Sequence, residues 1–284
     1  AAWRIAAALV VLLAVDAGRA AAWNGNAPGL QDLNGEVTAL AVYQGALVAG
    51  GMFTGAGDTP DYLARWTGTC WQGFEPSLDG PVHALAVLQG DLIVGGQFEH
   101  AGSTPAAHVA RWDGSNWHPL SAGTNGPVHA FLVQAGVILY AAGNFTEAGG
   151  VPAHSVARYV GSTWTEVGGG LEGTVKDLEL FNGSLVAGGD FRVAGPDPWE
   201  RNLARLIGDQ RVSLARGIDG KVSALAIYRG GLVAGGDFLH VDFVTPAHHV
   251  AWFLGEWYPI GFGFGVNDTI DVSEGKRYLH HYNF

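Results

Sequence analysis

The chain repeats itself about every 46 residues. Six phenylalanines recur along it, separated by 45, 47, 46, 47 and 46 residues: Phe53, Phe98, Phe145, Phe191, Phe238 and Phe284. Each of the first five follows an apolar stretch that ends in glycine, as in Leu47-Val-Ala-Gly-Gly51. A period of about 20–50 residues indicates a stacked array, because one such repeat cannot bury its apolar faces alone.

Each repeat is predicted to contain four short β-strands. In the first full repeat, residues 37–43 alternate apolar and small side chains, and residues 46–53 form a nearly continuous apolar run. A loop of glycine, proline and polar residues follows at 54–61, and residues 62–66 and 70–74 are expected to form a second hairpin. This spacing lies close to the ~8–12 residues per strand that is typical of all-β domains.

The repeat therefore predicts an all-β fold, a β-propeller of four-stranded antiparallel blades with about six blades, the last incomplete. Full repeats are expected at residues 35–79, 80–125, 126–172, 173–219 and 220–264. Residues 265–284 match the first two strands of a sixth repeat, and residues 23–34 match a fourth strand. Because the third strand of that blade is not in the sequence, we expect either an imperfectly closed ring or a chain that continues further.

The sequence motif of the repeat resembles that of a known family. It combines Leu-Val-Ala-Gly-Gly-x-Phe with a following Ala-Gly and then Ala-Arg-Trp-x-Gly-x-x-Trp, as at residues 64–71. This pattern resembles the kelch-like repeats of secreted bacterial β-propeller proteins, and it is similar to the extracellular repeats of fungal cortical marker proteins. The resemblance covers residues 23–284. It implies a propeller outside the cell and no particular activity.

The first 22 residues differ in kind from the repeats. Arg4 precedes an apolar run from Ile5 to Val15, and Ala20-Ala21-Ala22 offers small residues for cleavage. This is the layout of a secretory signal peptide, and the run is shorter than the ~20 residues of a membrane-spanning helix. The sequence predicts a signal peptide at 1–22, a propeller domain at 23–284, and a secreted or surface-displayed protein without a membrane span. A membrane anchor and a buried helix are the weaker alternatives.

Composition and repetition narrow the function classes. The net charge of −11 argues against a nucleic-acid partner, which requires a basic surface. Cys70 is the only cysteine, so an intrachain disulfide and a cysteine-based metal site are excluded. Residues that recur in every repeat are explained by blade geometry. The arginines of the Ala-Arg motif, for example, are expected to bond acids or carbonyls between blades or to stack on tryptophan. We expect a monomer that is not an enzyme and has no cofactor or metal.

Positions that break the repeat are the candidates for a partner-binding surface. They are Trp199, Glu200 and Arg201 in the fourth repeat and Asp242, Phe243, His248 and His249 in the fifth. An exposed aromatic side chain suits a protein hot spot or stacking on a sugar. His108 and His154 also precede a third strand, and we interpret these loop histidines as solvated, with metal binding as the alternative.

Two functions are compatible with this pattern. The first is an exported, non-catalytic scaffold that binds a protein or carbohydrate partner through loops that depart from the repeat. The alternative is an extracellular hydrolase or lyase that acts on polysaccharide at the axial mouth of the propeller. The alternative predicts that titratable groups from several blades converge at this mouth and that some have strongly shifted pKa values.

Overall fold

The computed structural model describes residues 33–53, 62–192, 201–208, 210–212, 214, 216–260, 269–273 and 276–280. The predicted signal peptide, Trp199 and Glu200 lie outside the described residues. Strands, turns and loops make up this part of the chain, and no helix occurs in it. The chain divides into two compact units, residues 1–175 and 176–284, which we describe separately.

The first unit contains three four-stranded antiparallel sheets, here called blades 1 to 3. The strands of blade 1 are β1 (Glu36–Tyr43), β2 (Ala46–Met52), β3 (Leu63–Trp66) and β4 (Trp71–Gly73). Blade 2 and its small hairpin contain β5 (Val82–Leu88), β6 (Asp91–Gly96), β7 (His100–Ala101), β8 (Thr104–Pro105), β9 (Val109–Trp112) and β10 (Trp117–Pro119). Blade 3 and its hairpin contain β11 (Val128–Gln134), β12 (Ile138–Gly143), β13 (Glu147–Ala148), β14 (Val151–Pro152), β15 (Val156–Val160) and β16 (Thr163–Glu166).

The second unit holds blades 4 and 5, and the first strand of blade 4 begins at the end of the first unit. The strands of blade 4 are β17 (Glu172–Phe181), β18 (Ser184–Arg192), β19 (Arg201–Ile207) and β20 (Gln210–Val212). Blade 5 and its hairpin contain β21 (Lys221–Tyr228), β22 (Gly231–Asp237), β23 (His240–Val241), β24 (Thr245–Pro246), β25 (Val250–Phe253) and β26 (Trp257–Pro259). A last antiparallel pair, β27 (Thr269–Ser273) and β28 (Lys276–His280), lies where the first two strands of a sixth repeat are predicted.

The two glycines of the repeated doublet are needed for different structural reasons. A Cβ at the second glycine would meet the backbone of the first strand, 2.1 Å from the Pro81 oxygen at Gly96 and 2.0 Å from the Pro127 oxygen at Gly143. A Cβ at the first glycine would meet the next blade instead, 2.4 Å from Val82 Cγ1 at Gly50. Glycine is therefore required in this motif because neighbouring backbone or side chains come close to it, and not because its backbone is left-handed.

In the first unit the blades stack through their first strands, and in the second unit the first strand of blade 5 packs against the second strand of blade 4. Strand β5 packs against β1 on one side and β11 on the other, and β21 packs against β18 in the second unit. Tryptophans of the fourth strands join neighbouring blades: Trp117 Nε1 donates to the Pro76 oxygen (2.7 Å) and Trp164 Nε1 to the Leu120 oxygen (3.2 Å). Sheets that share their cores with neighbours in this way are propeller blades, so the predicted fold class is confirmed.

Two details differ from the sequence predictions. The connection between the second and third strands is not a plain loop in blades 2, 3 and 5, because each contains a two-stranded hairpin. Its strands are two residues long and are held by backbone bonds, so they leave no hydrophobic pattern in the sequence. The arginines also differ: Arg111 pairs with Asp91 of its own blade (2.5 Å), and Arg205 donates to Ser184 (2.9 Å).

Candidate functional site

In every described blade one residue directly before the third strand, or at its start, has a left-handed backbone. It is Tyr62, His108, Ser155, Asn202 or His249, with φ between 30° and 80°. In blade 2 the His108 N–H donates to the Phe98 oxygen (2.8 Å) and the His108 oxygen accepts from Gly96 (3.0 Å). These bonds hold the end of the second strand against the start of the third. The position of the loop histidines is thus fixed by the backbone.

The loop histidines have different surroundings in the different blades. The prediction of a solvated side chain is wrong for His108, because only 12% of this side chain is exposed. Burial lowers the pKa of His108. The ring of His154 bonds Glu166 (2.8 Å), and His249 Nδ1 lies 3.0 Å from the Gly236 oxygen. Across the described ranges, no three histidine, cysteine, aspartate or glutamate side chains are grouped so that they could hold a metal ion.

The hairpin of blade 5 is built differently from those of blades 2 and 3. The other two turn through two residues that include glycine in the left-handed region, Gly102-Ser103 and Gly149-Gly150. Blade 5 turns through the three residues 242–244, and Asp242 and Phe243 adopt φ values of 51° and 60°. A bulky residue in this region is uncommon and costs about 1–3 kcal/mol, which is a reason to look for a function.

This turn brings together predicted site residues from two blades. The Arg201 guanidinium at the start of β19 lies 4.8 Å from the centre of the Phe243 ring. Asp242 Oδ1 accepts the Arg216 N–H (2.9 Å), which fixes the base of the turn. Val244, at the end of the turn, is 71% exposed. His248 and His249 are exposed further along the same connection. Arg201, Asp242, Phe243 and Val244 are called the blade 5 turn surface below.

A carboxylate caps the segment that follows the repeated phenylalanine. Asp79 Oδ1 accepts the N–H groups of Glu99 (2.9 Å) and His100 (3.0 Å), while Oδ2 lies 2.8 Å from His100 Nδ1. Asp219 makes the same contacts with Leu239 and His240. Burial opposes ionisation at both sites, but the bonds from the histidine backbone and ring and from the preceding N–H outweigh it and lower the pKa of each carboxyl.

Two histidines on the first strands were not among the residues predicted from the sequence to form a site. The first strands of blades 1, 2, 3 and 5 each have a β-bulge directly after the repeated valine, and His83 and His129 occupy this bulge in blades 2 and 3. Their ring centres are 5.3 Å apart with an angle of 41° between the rings. In blade 1 the bulge residue is Thr38, whose hydroxyl donates to the Val82 oxygen (2.5 Å). The sequence does contain a signal for this pair, because each histidine directly follows the repeated valine and the two therefore occupy equivalent positions.

Blade 4 carries charged residues in its first strand where other blades have small or apolar ones. Asp177 and Glu179 stand at the positions of Ala84 and Ala86 in blade 2. Asp177 Oδ2 accepts the Leu225 N–H of the next first strand (2.7 Å), so this carboxylate has a packing role. Burial raises the pKa of Glu179, although its bond from the Leu180 N–H acts in the other direction.

Comparisons with known proteins find similarity only among solved structures. No family model and no curated protein matches the chain. The computationally designed protein Ika8 is 18% identical, with 79% of this chain and 61% of that chain covered and a TM-score of 0.49. The WD40 β-propeller domain of Doa1 is 11% identical, with 73% and 64% covered and a TM-score of 0.48. The chain therefore spans less than two thirds of either protein.

The fold follows from the strand order and the blade packing described above, and not from these similarities. Within the described residues, no helix is long and apolar enough to cross a membrane.

Proposed function

We propose that this chain is an exported, non-catalytic β-propeller that binds a protein or glycan partner through the blade 5 turn surface. The observation that carries the proposal is the left-handed Phe243 in an enlarged turn, covered by Arg201 of the neighbouring blade. A strained aromatic that a glycine could replace at lower cost is retained for a reason other than stability. We also propose that the repeats are kelch-like and that the protein acts as a monomer.

A protein partner fits this surface better than a sugar. The guanidinium covers one face of the Phe243 ring, which leaves less of the ring for stacking on a pyranose. Arginine and aromatic side chains beside an exposed aliphatic residue, here Val244, are typical of the centre of a protein interface. Trp199 and Glu200, which directly precede Arg201 in the sequence, stay predicted partner-binding residues.

The test uses Phe243→Gly and Arg201→Ala in the full chain. Candidate partners are identified by glycan array and by crosslinking to proteins outside the cell, and affinities are then measured with purified partner. We expect each variant to weaken binding by at least about tenfold, while Phe243→Gly leaves thermal stability unchanged or raises it, because glycine relieves the left-handed strain.

The matched control is Val151→Ser in the hairpin of blade 3, where Val151 is 43% exposed. It should bind like the wild type. If both variants bind as tightly as the control, the blade 5 turn surface is not the binding site. If Phe243→Gly unfolds the protein, the affinity of folded Arg201→Ala decides the question in the same way.

Export is tested separately with residues 1–22. Fused to a reporter enzyme that is active only outside the cytoplasm, this segment should give activity, and the processed product should begin at Trp23. A charged residue in place of Leu12 should abolish export, because it interrupts the apolar run.

The second candidate function is an extracellular hydrolase or lyase that acts on polysaccharide at the axial mouth of the propeller. One observation favours it: burial raises the pKa of Glu179 on a first strand, as a general acid requires. If the wild type cleaves a member of a polysaccharide panel and Glu179→Gln does not, this function replaces the scaffold proposal.

A further inference from the structure

The bulges of the first strands place two imidazoles side by side in the first unit. His83 and His129 are 46 residues apart in sequence, one repeat, and each directly follows a fully buried valine, Val82 or Val128. A bulge re-aims the side chain of the extra residue, and the same bulge in neighbouring blades aims both rings toward one place. The ring centres are 5.3 Å apart as a result.

The backbone that carries these rings is held firmly. Strand β5 packs against β11, and Gly95 lies so close to Phe131 and Val128 of blade 3 that a Cβ there would be 2.6–2.9 Å from them. Little relative movement of the two strands is possible without loss of this packing. A ligand that binds both rings would therefore meet a preorganised pair.

We propose that His83 and His129 bind one divalent transition-metal ion, such as Zn²⁺ or Ni²⁺, between blades 2 and 3. Imidazole nitrogen binds such ions at about 2.0–2.1 Å, which places the ring centres of two histidines on one tetrahedral ion roughly 5 Å apart. The observed separation of 5.3 Å agrees with this value. Imidazole is also the ligand type that zinc, nickel and copper prefer.

The site has two protein ligands and keeps open positions. No third histidine, cysteine or acidic ligand joins the pair in the part of the chain that the structure describes. Water or a donor atom of a bound molecule completes the coordination, so the ion exchanges readily. The net charge of −11 favours cations near the protein. Protons compete with the ion for the imidazole nitrogens, so affinity falls as the pH is lowered.

The blade fold does not need histidine at these positions. The equivalent bulge residue is Thr38 in blade 1 and Ser223 in blade 5, so a small hydroxyl side chain is compatible with the bulge. The site is therefore particular to blades 2 and 3. This also supplies conservative variants, His83→Ser and His129→Ser, which the fold is expected to tolerate.

The experiment titrates the untagged full chain with Ni²⁺ and with Zn²⁺ by calorimetry at about pH 7.5 and about pH 5.5. We expect one ion to bind at the higher pH, and His83→Ser and His129→Ser each to lose at least about tenfold in affinity. The control is the double variant His248→Ser/His249→Ser, which removes an exposed histidine pair in the second unit. It should retain this binding.

A second measurement, the melting temperature with and without Zn²⁺, also shows whether each variant is folded. Zn²⁺ should raise the melting temperature of the wild type and of the control, but not that of the serine variants, and the rise should vanish at the lower pH. Equal affinity in wild type and both serine variants, or a loss that occurs only in the control, overturns the proposal. Neither result bears on the blade 5 turn surface, which lies in the other unit.

Discussion

The inner two strands of a blade and the connection to its third strand repeat in different ways. In the inner strands the side chains themselves recur, as with the glycine doublet and the valine before each bulge. In the connection the left-handed backbone recurs while the residue changes from His108 to Ser155 to Asn202. Packing between strands fixes side-chain volume, whereas at the connection only the backbone bonds are fixed, so its side chains are free to serve binding.

Gly96→Ala tests the inner region most severely. Its Cβ would be 2.1 Å from the Pro81 oxygen, so the backbone of the bulge has to move. We expect a loss of roughly 3 kcal/mol or more in the free energy of unfolding, measured by urea denaturation. A loss below that of an exposed-surface substitution would mean that the bulge is not fixed by this contact.

Gly95→Ala should lower the free energy of unfolding by less than Gly96→Ala does. Its Cβ would meet side-chain atoms, Phe131 Cζ at 2.6 Å and Val128 Cγ1 at 2.9 Å, which shift more easily than backbone. Blade 3 already has Ala142 at the equivalent position. We expect a loss of about 1–2 kcal/mol in the free energy of unfolding in the same urea experiment. A larger loss for Gly95→Ala than for Gly96→Ala would contradict the conclusion that Gly96 is restricted by backbone and Gly95 by side chains.

Trp117→Phe tests the link between blades 1 and 2. The change removes the bond from Nε1 to the Pro76 oxygen while it keeps an aromatic ring at a buried position. We expect a loss of about 1 kcal/mol in the free energy of unfolding, because the carbonyl loses its partner. Unchanged stability would show that the recurring tryptophan acts through packing alone.

The smallest effect is a pH dependence in the connection. The lowered pKa values of Asp79 and Asp219 mean that their ionised forms stabilise the fold above about pH 3.9, and this stabilisation disappears as the pH falls through the folded-state values. Blade 3 performs the same capping with Asn125, which does not titrate. Asp79→Asn/Asp219→Asn should therefore cost less than about 1 kcal/mol at neutral pH and flatten the acid limb of the stability profile.

The control for this experiment is Asn125→Asp, which should add acid sensitivity to blade 3. Urea midpoints between about pH 7 and about pH 2.5 measure all three proteins. The same acid limb in each would show that the caps contribute nothing to the pH dependence.

Much of the fold could be predicted from the sequence, and less of the site. The observed β1 and β2 differ by one residue at most from the prediction, because each has a clear apolar pattern and is followed by a turn or loop. The hairpins escaped prediction because backbone bonds alone define strands of two residues. His83 and His129 escaped it because the sequence does not show that the bulges of neighbouring blades bring their rings together.

The sequence by itself determined that the chain is an array of four-stranded blades, since a repeat of this length with these apolar runs can bury its faces only against its neighbours. Tertiary structure alone decided which side chains of different blades meet. Arg201 covers Phe243, and His83 lies beside His129, because strand twist, a bulge and one added turn residue aim these side chains. Such directions depend on how the blades stack, which no single repeat encodes.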